Sequence, residues 1–383
     1  MRTVTLTGVD PRMTKIRVVA AHDDRVIIAA ALETIPTQQE NLYVVDKSGA
    51  AVRLATSTGA APFSQVVLDR SGTRLAFALQ NGCYPAAKIG FAQLPESGSP
   101  SVRLIDSPSG SDGGVATSLA FDNVALVAGW RGGPDACPND KNTAQPALWR
   151  LANPATGRTW TKQADGRGMV AKTQFGVDIY TEPYPDHPET FTLKLQGLPS
   201  YFNQPAQLGD NIWSVTPRPL GSPFVASYLS TGKGQRNTEV RLAREDGTSV
   251  PVQQIVGRPL DDDPSMTFSP DGTWFASADE HSLTTVNTQT GVQRTVSCSC
   301  KGTAFTAKNL VMTQVGPLMT IVVAGYDPQT LTVKTRIQGP TDTYKIGGGR
   351  GWWRKRRSHH RPEGQRRPEH AGSGPTRLGN RPD

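Results

Sequence analysis

The stretch FSPDGTWFASADEHSLTTVNTQTGVQRTV, from Phe268 to Val296, runs apolar and polar residues alternately and breaks at Pro, Asp, Gly and Asn. Alternation with a period of two marks strands with one buried face, and those breakers mark the turns between them. The same texture extends along most of the chain, and few windows carry the 3.6-residue apolar period of a helix. VIIAAAL, Val26 to Leu32, holds no polar residue and reads by length as a buried strand. The pattern predicts an all-β protein of short strands.

The turns repeat. A strand, an Asp or Asn, a turn rich in Gly, Pro, Ser or Thr, and a returning strand occur at Asp46, Asn153, Asp246, Asn287 and Asp327. Asp and Asn open such turns by accepting backbone hydrogen bonds two residues on, and Gly supplies positive φ. Asn287 lies 41 residues after Asp246, and Asp327 lies 40 after Asn287. Weaker turns at Leu94–Ile105 and Leu193–Phe202 fill the longer gaps. A second element repeats too: FSPDGTWFASA at Phe268 matches LDRSGTRLAFA at Leu68, with Gly272 and Gly72 in equivalent places.

A unit of about 40–50 residues with four strands is the arithmetic of a propeller blade. The divisions fall near residues 15–60, 61–113, 114–166, 167–208, 209–258, 259–300 and 301–340. Seven blades are expected, with six and eight as neighbours. Arg2–Val9 is a spare alternating segment suited to closing the ring, yet Leu331–Ile337 already supplies a last strand, so the expectation is that one of the two is surplus or that the chain is cut from something longer.

Phe268-Ser269-Pro270-Asp271-Gly272, followed by Phe275-Ala276, resembles the repeat signature of TolB-like and WD40-like (PD40-type) β-propellers. The turns Asn287–Gly291 and Asn153–Gly157 are similar to the last hairpin of WD40 blades. The chain has no Trp-Asp and no Gly-His dipeptide, so the His/Asp network of WD40 blades is not expected. The resemblance implies a propeller that binds partners, and it carries over no catalytic residue.

Charge divides the chain. The formal net charge is +8, but residues 345–383 hold 11 Lys and Arg against 3 Asp and Glu. The preceding 344 residues therefore balance, 30 of each sign, and give no electrostatic case for nucleic acid. Residues 1–344 are expected to form the propeller, and 345–383 a disordered Arg-rich tail. Trp352-Trp353 followed by Arg354-Lys355-Arg356-Arg357 suits contact with anionic surfaces. The abrupt shift to Arg, Pro, Gly and His is also what a frameshifted reading of GC-rich DNA produces. No apolar run reaches bilayer length. MRTVTLTGVDP lacks the layout of a signal peptide, which predicts a cytoplasmic chain, or an extracytoplasmic one if a leader has been lost.

Candidate chemistry is sparse. Cys83 and Cys137 lie in Pro/Gly/Asn-rich loop sequence where a staple fits, and four free thiols remain the alternative. Cys298 and Cys300, two apart, share one face if they lie on a strand. Same-face neighbours there have Cα atoms about 6.5–7 Å apart, near the limit for a bridge. His22-Asp23-Asp24 reads as a polar turn, and Asp261-Asp262-Asp263 and Pro134–Asp140 as solvated loops lacking calcium-site spacing. Ser230–Asn237 lacks the pattern of a phosphate loop. His22, His187 and His281 are scattered, and His359, His360 and His370 lie in the tail. No catalytic, cofactor or metal residue is expected, and no cofactor. The expected function is a monomeric, non-enzymatic scaffold binding protein through a propeller face. The alternatives are a lyase or hydrolase with a small-ligand site at the channel mouth, and the sensor part of a membrane protein.

Overall fold

The computed structural model describes residues 1–339 except 11–12, 14, 24, 33–38, 59–62, 64, 70, 80–87, 97, 109–113, 123, 133–146, 166–167, 173–177, 185–186, 197–206, 218–222, 232–237, 245–247, 256–264, 280, 307, 309 and 316–322. The expected tail, together with Cys83, Cys137, Asp246, Asp261–Asp263 and Pro134–Asp140, lies outside the described residues. Among the described residues every regular element is a strand, and no helix is long and apolar enough to cross a membrane.

After β1 (Arg2–Thr5) the strands pair largely with their neighbours in sequence. The first sheet holds β2 (Lys15–His22), β3 (Arg25–Leu32), β4 (Gln39–Asp46) and β5 (Ala51–Thr58). The second holds β6 (Val66–Leu68), β7 (Arg74–Leu79), β8 (Lys88–Gln93) and β9 (Ser101–Asp106). The third holds β10 (Gly114–Asp122), β11 (Ala125–Gly132), β12 (Ala147–Leu151) and β13 (Thr161–Asp165). A longer sheet follows, with β14 (Gly168–Lys172), β15 (Asp178–Tyr184), β16 (His187–Gln196), β17 (Gln207–Pro217), β18 (Phe224–Thr231), β19 (Thr238–Arg244) and β20 (Ser249–Ile255). Then come β21 (Ser265–Phe268), β22 (Trp274–Ala278), β23 (Ser282–Asn287) and β24 (Gln293–Ser297). The last sheet holds β25 (Cys300–Phe305), β26 (Val311–Val315), β27 (Val323–Tyr326) and β28 (Val333–Gln338), with β1 on its outer edge.

The fold is a β-propeller, and its apolar pattern explains why. In β3, Val26, Ile28 and Ala30 face the last sheet, while Ile27 and Ala29 face the second. In β7, Leu75, Phe77 and Leu79 pack toward the first sheet, and Ala76 and Ala78 toward the third. A strand covered on both sides needs no polar alternation, which accounts for VIIAAAL. Gly90 on β8 lets the Phe77 ring lie where a Cβ would stand.

The expected divisions near residues 60, 113, 166 and 258 fall between sheets, and the one near 300 falls beside the start of β25. The one at 208 falls inside β17. The first half of that strand pairs with β16 and its second half with β18, so the backbone ladder runs through the expected break.

Closure uses both terminal strands, and the last sheet holds five, one more than the four of the other short sheets. β28 completes the last sheet, and β1 adds to its edge in parallel, Arg2 opposite Thr335 and Thr5 opposite Gln338. The chain then crosses to the first sheet. The Thr7 amide donates to the Gly49 carbonyl and the Ala51 amide to the Thr7 carbonyl, each at 2.9 Å. Leu6, 2 % exposed, is buried among Ile16, Tyr43 and Ile337. At the inner seam β25 meets β2. A bulge between Lys301 and Thr303 puts Gly302 at φ +68°, where a Cβ would stand on the Val18 backbone.

That contact makes a prediction. Gly302→Ala adds both positive-φ strain and a clash with Val18, whereas Gly98→Ala, at φ +97° with open space around it, adds strain alone. Urea unfolding is expected to show a loss of about 1–2 kcal/mol for Gly98→Ala and at least about 1 kcal/mol more for Gly302→Ala. Equal losses would mean that the seam is not backbone-tight.

Candidate functional site

Sheets of antiparallel strands that return the chain to its starting side give the ring two unlike faces. On one, the connections are short: His22–Arg25, Asp46–Ala51, Leu68–Arg74, Phe268–Trp274, Asn287–Gln293 and Tyr326–Val333. The second-to-third-strand connections and the links between sheets leave from the opposite ends of the strands, at Leu32 and Gln39, Leu79 and Lys88, and Ala278 and Ser282 among others.

The turn-opening Asp and Asn side chains of the short-turn face bond to the backbone. Asp46 Oδ1 accepts from the Ser48 amide at 2.8 Å and the Ala50 amide at 3.1 Å. Asn153, Asn287 and Asp327 accept in the same way from the residues two positions on. Gly72 and Gly272, read from sequence as equivalent, sit at φ +70° and +72° and donate to the carbonyls of Asp69 and Ser269. Asp69 Oδ1 takes the amides of Thr73 and Arg74, and its Oδ2 takes Arg74 Nε at 2.8 Å. Burial pushes the Asp69 carboxyl up, but the Ser71 hydroxyl and the Arg74 amide and guanidinium outweigh it, so the group stays below its ordinary value.

Neighbouring sheets are tied by side chains reaching backbone carbonyls. Arg25 donates to Leu94 O at 2.7 Å and Pro95 O at 3.1 Å. Arg103 donates to Ala155 O at 2.6 Å, Thr285 to Pro328 O at 2.8 Å and Gln293 to Val252 O at 2.8 Å. These side-chain donors tie one sheet to the next.

The opposite face keeps exposed groups and, on the first sheet, a paired charge. Arg17, on β2, reaches across to Glu40 on β4, Nε to Oε1 at 3.2 Å and Nη2 to Oε2 at 3.1 Å, and its Nη2 also donates to Phe63 O. The Glu40 side chain is 4 % exposed and that of Arg17 39 %. Sequence reading passed over both residues, because 23 positions separate them and each resembles a solvent-facing strand residue. Ser265 and Thr303, on adjacent inner strands, share a hydroxyl–hydroxyl bond at 3.0 Å. Lys88 and Asp106 stand exposed on this face, opposite one another across β8 and β9.

The histidines singled out from sequence are not brought together. His22 ends β2 on the short-turn face against Gly72, His187 begins β16, and His281 lies between β22 and β23. Asp23 is exposed in the β2–β3 turn. Among the described residues no three His, Cys, Asp or Glu side chains gather as a metal site would require. Cys298 and Cys300 depart from the strand-face picture. Cys298 follows β24 and Cys300 opens β25, so the chain bends between them, the Cα atoms lie 5.3 Å apart, and the thiols form a disulfide.

No known family model matches the sequence, and no curated protein does. Solved structures match it at low identity. Puromycin hydrolase aligns at 12 % identity and a TM-score of 0.52, over 88 % of this chain and 56 % of that one. Oligogalacturonate lyase in complex with manganese aligns at 14 % identity and a TM-score of 0.49, over 80 % and 88 %. The WD40 β-propeller domain of Doa1 aligns at 12 % identity and a TM-score of 0.44, over 82 % and 92 %. Other structural neighbours include a TolB from Agrobacterium tumefaciens described as provisional in assignment, at 14 % identity and a TM-score of 0.41 over 65 % of this chain and 85 % of that one. These likenesses bear on the fold alone.

The Arg17–Glu40 pair can be tested as a positioning device. Arg17→Met leaves a carboxylate buried without its cation and is expected to cost about 3–5 kcal/mol in urea unfolding, with Arg17→Met/Glu40→Gln recovering at least about half. A double variant no better than the single one would show that the pair is not coupled.

Proposed function

We propose that the chain is a non-enzymatic scaffold, a seven-bladed propeller that binds a protein partner through the face carrying its long connections. The observation that carries this reading is the contrast between the faces. On the short-turn face Asp46, Asn153, Asn287 and Asp327 are engaged in turn geometry and Arg25 and Arg103 in clamps between sheets, while Lys88 and Asp106 on the other face point to solvent. Binding groups sit on loops held by a rigid frame, and a propeller gathers several such loops on one surface. A count of seven requires counting the longer sheet as two blades that share β17, which pairs with both β16 and β18.

A second reading, the extracytoplasmic sensor part of a membrane protein, is favoured by the disulfide between Cys298 and Cys300, since such bonds persist in oxidising compartments. The enzyme reading needs a converging set of His, Arg and carboxylate groups at one mouth. Arg17 and Glu40 supply two of these, and each is occupied by the other.

Paired charge reversals test the face. Lys88→Glu/Asp106→Lys changes the long-connection face, and Lys47→Glu changes the short-turn face. With the partner recovered by cross-linking in the native host, the first variant is expected to weaken its association at least about tenfold, the equivalent of 1.4 kcal/mol, and the second to leave it unchanged. Loss in Lys47→Glu alone would place the interface on the wrong side for this reading. Turnover of a small substrate, abolished by Arg17→Met in folded protein, would replace it with the enzyme.

A further inference from the structure

We propose that Cys298–Cys300 is a site of reversible thiol–disulfide exchange, a redox-modifiable joint between the last two sheets. The bond closes over a single residue, Ser299. A cross-link stabilises a chain chiefly by denying freedom to the unfolded state, and the benefit grows with loop length, so this one staples nothing distant. Its effect is local. The Cα atoms lie 5.3 Å apart, whereas same-face neighbours on an extended strand lie about 6.5–7 Å apart, so the bond holds the link between β24 and β25 contracted.

The two sulfurs differ in surroundings. Cys300 is 1 % exposed and packs beside Leu283, Phe305 and Tyr326. Cys298 is half-buried, on the long-connection face, and its amide donates to His281 O at 3.0 Å. An incoming thiolate therefore reaches Cys298. Beyond Cys300 the strand runs directly into Gly302 and Thr303, the residues that meet Val18 and Ser265 at the seam. A bond here bears on the strand that closes the ring.

The chemistry balances with a dithiol as reductant. One of its thiolates attacks Cys298 Sγ, the Cys298–Cys300 bond breaks, and Cys300 leaves as a thiolate that takes a proton from solvent. The second thiol of the reductant then displaces Cys298 from the mixed disulfide. The protein disulfide gains two electrons and two protons, and the dithiol becomes a disulfide. Oxidised glutathione drives the reverse.

The test uses the full chain, with dithiothreitol and oxidised glutathione as probes. Alkylation under native conditions is followed by the mass of the peptide spanning Cys298 and Cys300, with circular dichroism to confirm that the protein stays folded. The peptide is expected to take two alkyl groups after the dithiol and none after oxidised glutathione. In Cys300→Ser, Cys298 is expected to form a mixed disulfide with glutathione at least about tenfold faster than Cys300 does in Cys298→Ser. A bond that yields only on denaturation, or two free thiols in untreated, air-exposed protein, would overturn the proposal. So would equal rates in the two variants. The wild-type measurement decides the matter even if neither variant folds.

Discussion

A four-stranded sheet has two faces, and in this chain both are apolar. Neither can face water, so each sheet must be covered on both sides by others of its kind. Ile27 and Ala29 on one side of β3, and Val26, Ile28 and Ala30 on the other, show the demand within a single strand. An open row of sheets would leave two apolar faces bare, and a ring leaves none. Closure is therefore the condition on which every other contact rests. It is met twice: at the inner seam, where Gly302 meets the Val18 backbone, and at the rim, where β1 and Thr7 link β28 to the Gly49 turn.

The seam shows how tightly that condition is drawn. Gly302 stands at a bulge with positive φ, a place where any side chain would push the first inner strand away. The rim is built of backbone hydrogen bonds together with one buried leucine, Leu6. Elsewhere around the ring, Arg25, Arg103, Thr285 and Gln293 tie one sheet to the next through backbone carbonyls. Much of the polar chemistry on the short-turn side is consumed in this way.

Local chemistry was legible in the sequence, and long-range approach was not. Asp46, Asn153, Asn287 and Asp327 could be read as turn openers because the bonds they make run to residues two positions away. Gly72 and Gly272 could be matched because their neighbours repeat. Gly302 gave no such signal, since KGTAF reads as ordinary strand and the partner, Val18, stands near the other end of the chain. Arg17 and Glu40 were passed over for the same reason. Whether Cys298 and Cys300 share a strand face stays open in sequence because alternation cannot report the bend after Ser297. Arg2–Val9 reads in sequence as a spare closing segment, and β1 is a parallel fifth strand outside a completed sheet; its parallel direction and its step across to the Gly49 turn left no sequence signal.

Native-state amide hydrogen exchange, comparing the full chain with one lacking residues 1–9, tests closure most directly. If the ring is held shut by the rim strand, the truncated chain exchanges faster in β28 and the Asp46–Ala51 turn, and then in β2 and β25 across the seam. The third sheet, which touches neither closure, keeps its protection. Unchanged protection in β2, β25 and β28 would contradict the account, and so would a uniform loss across all sheets at once.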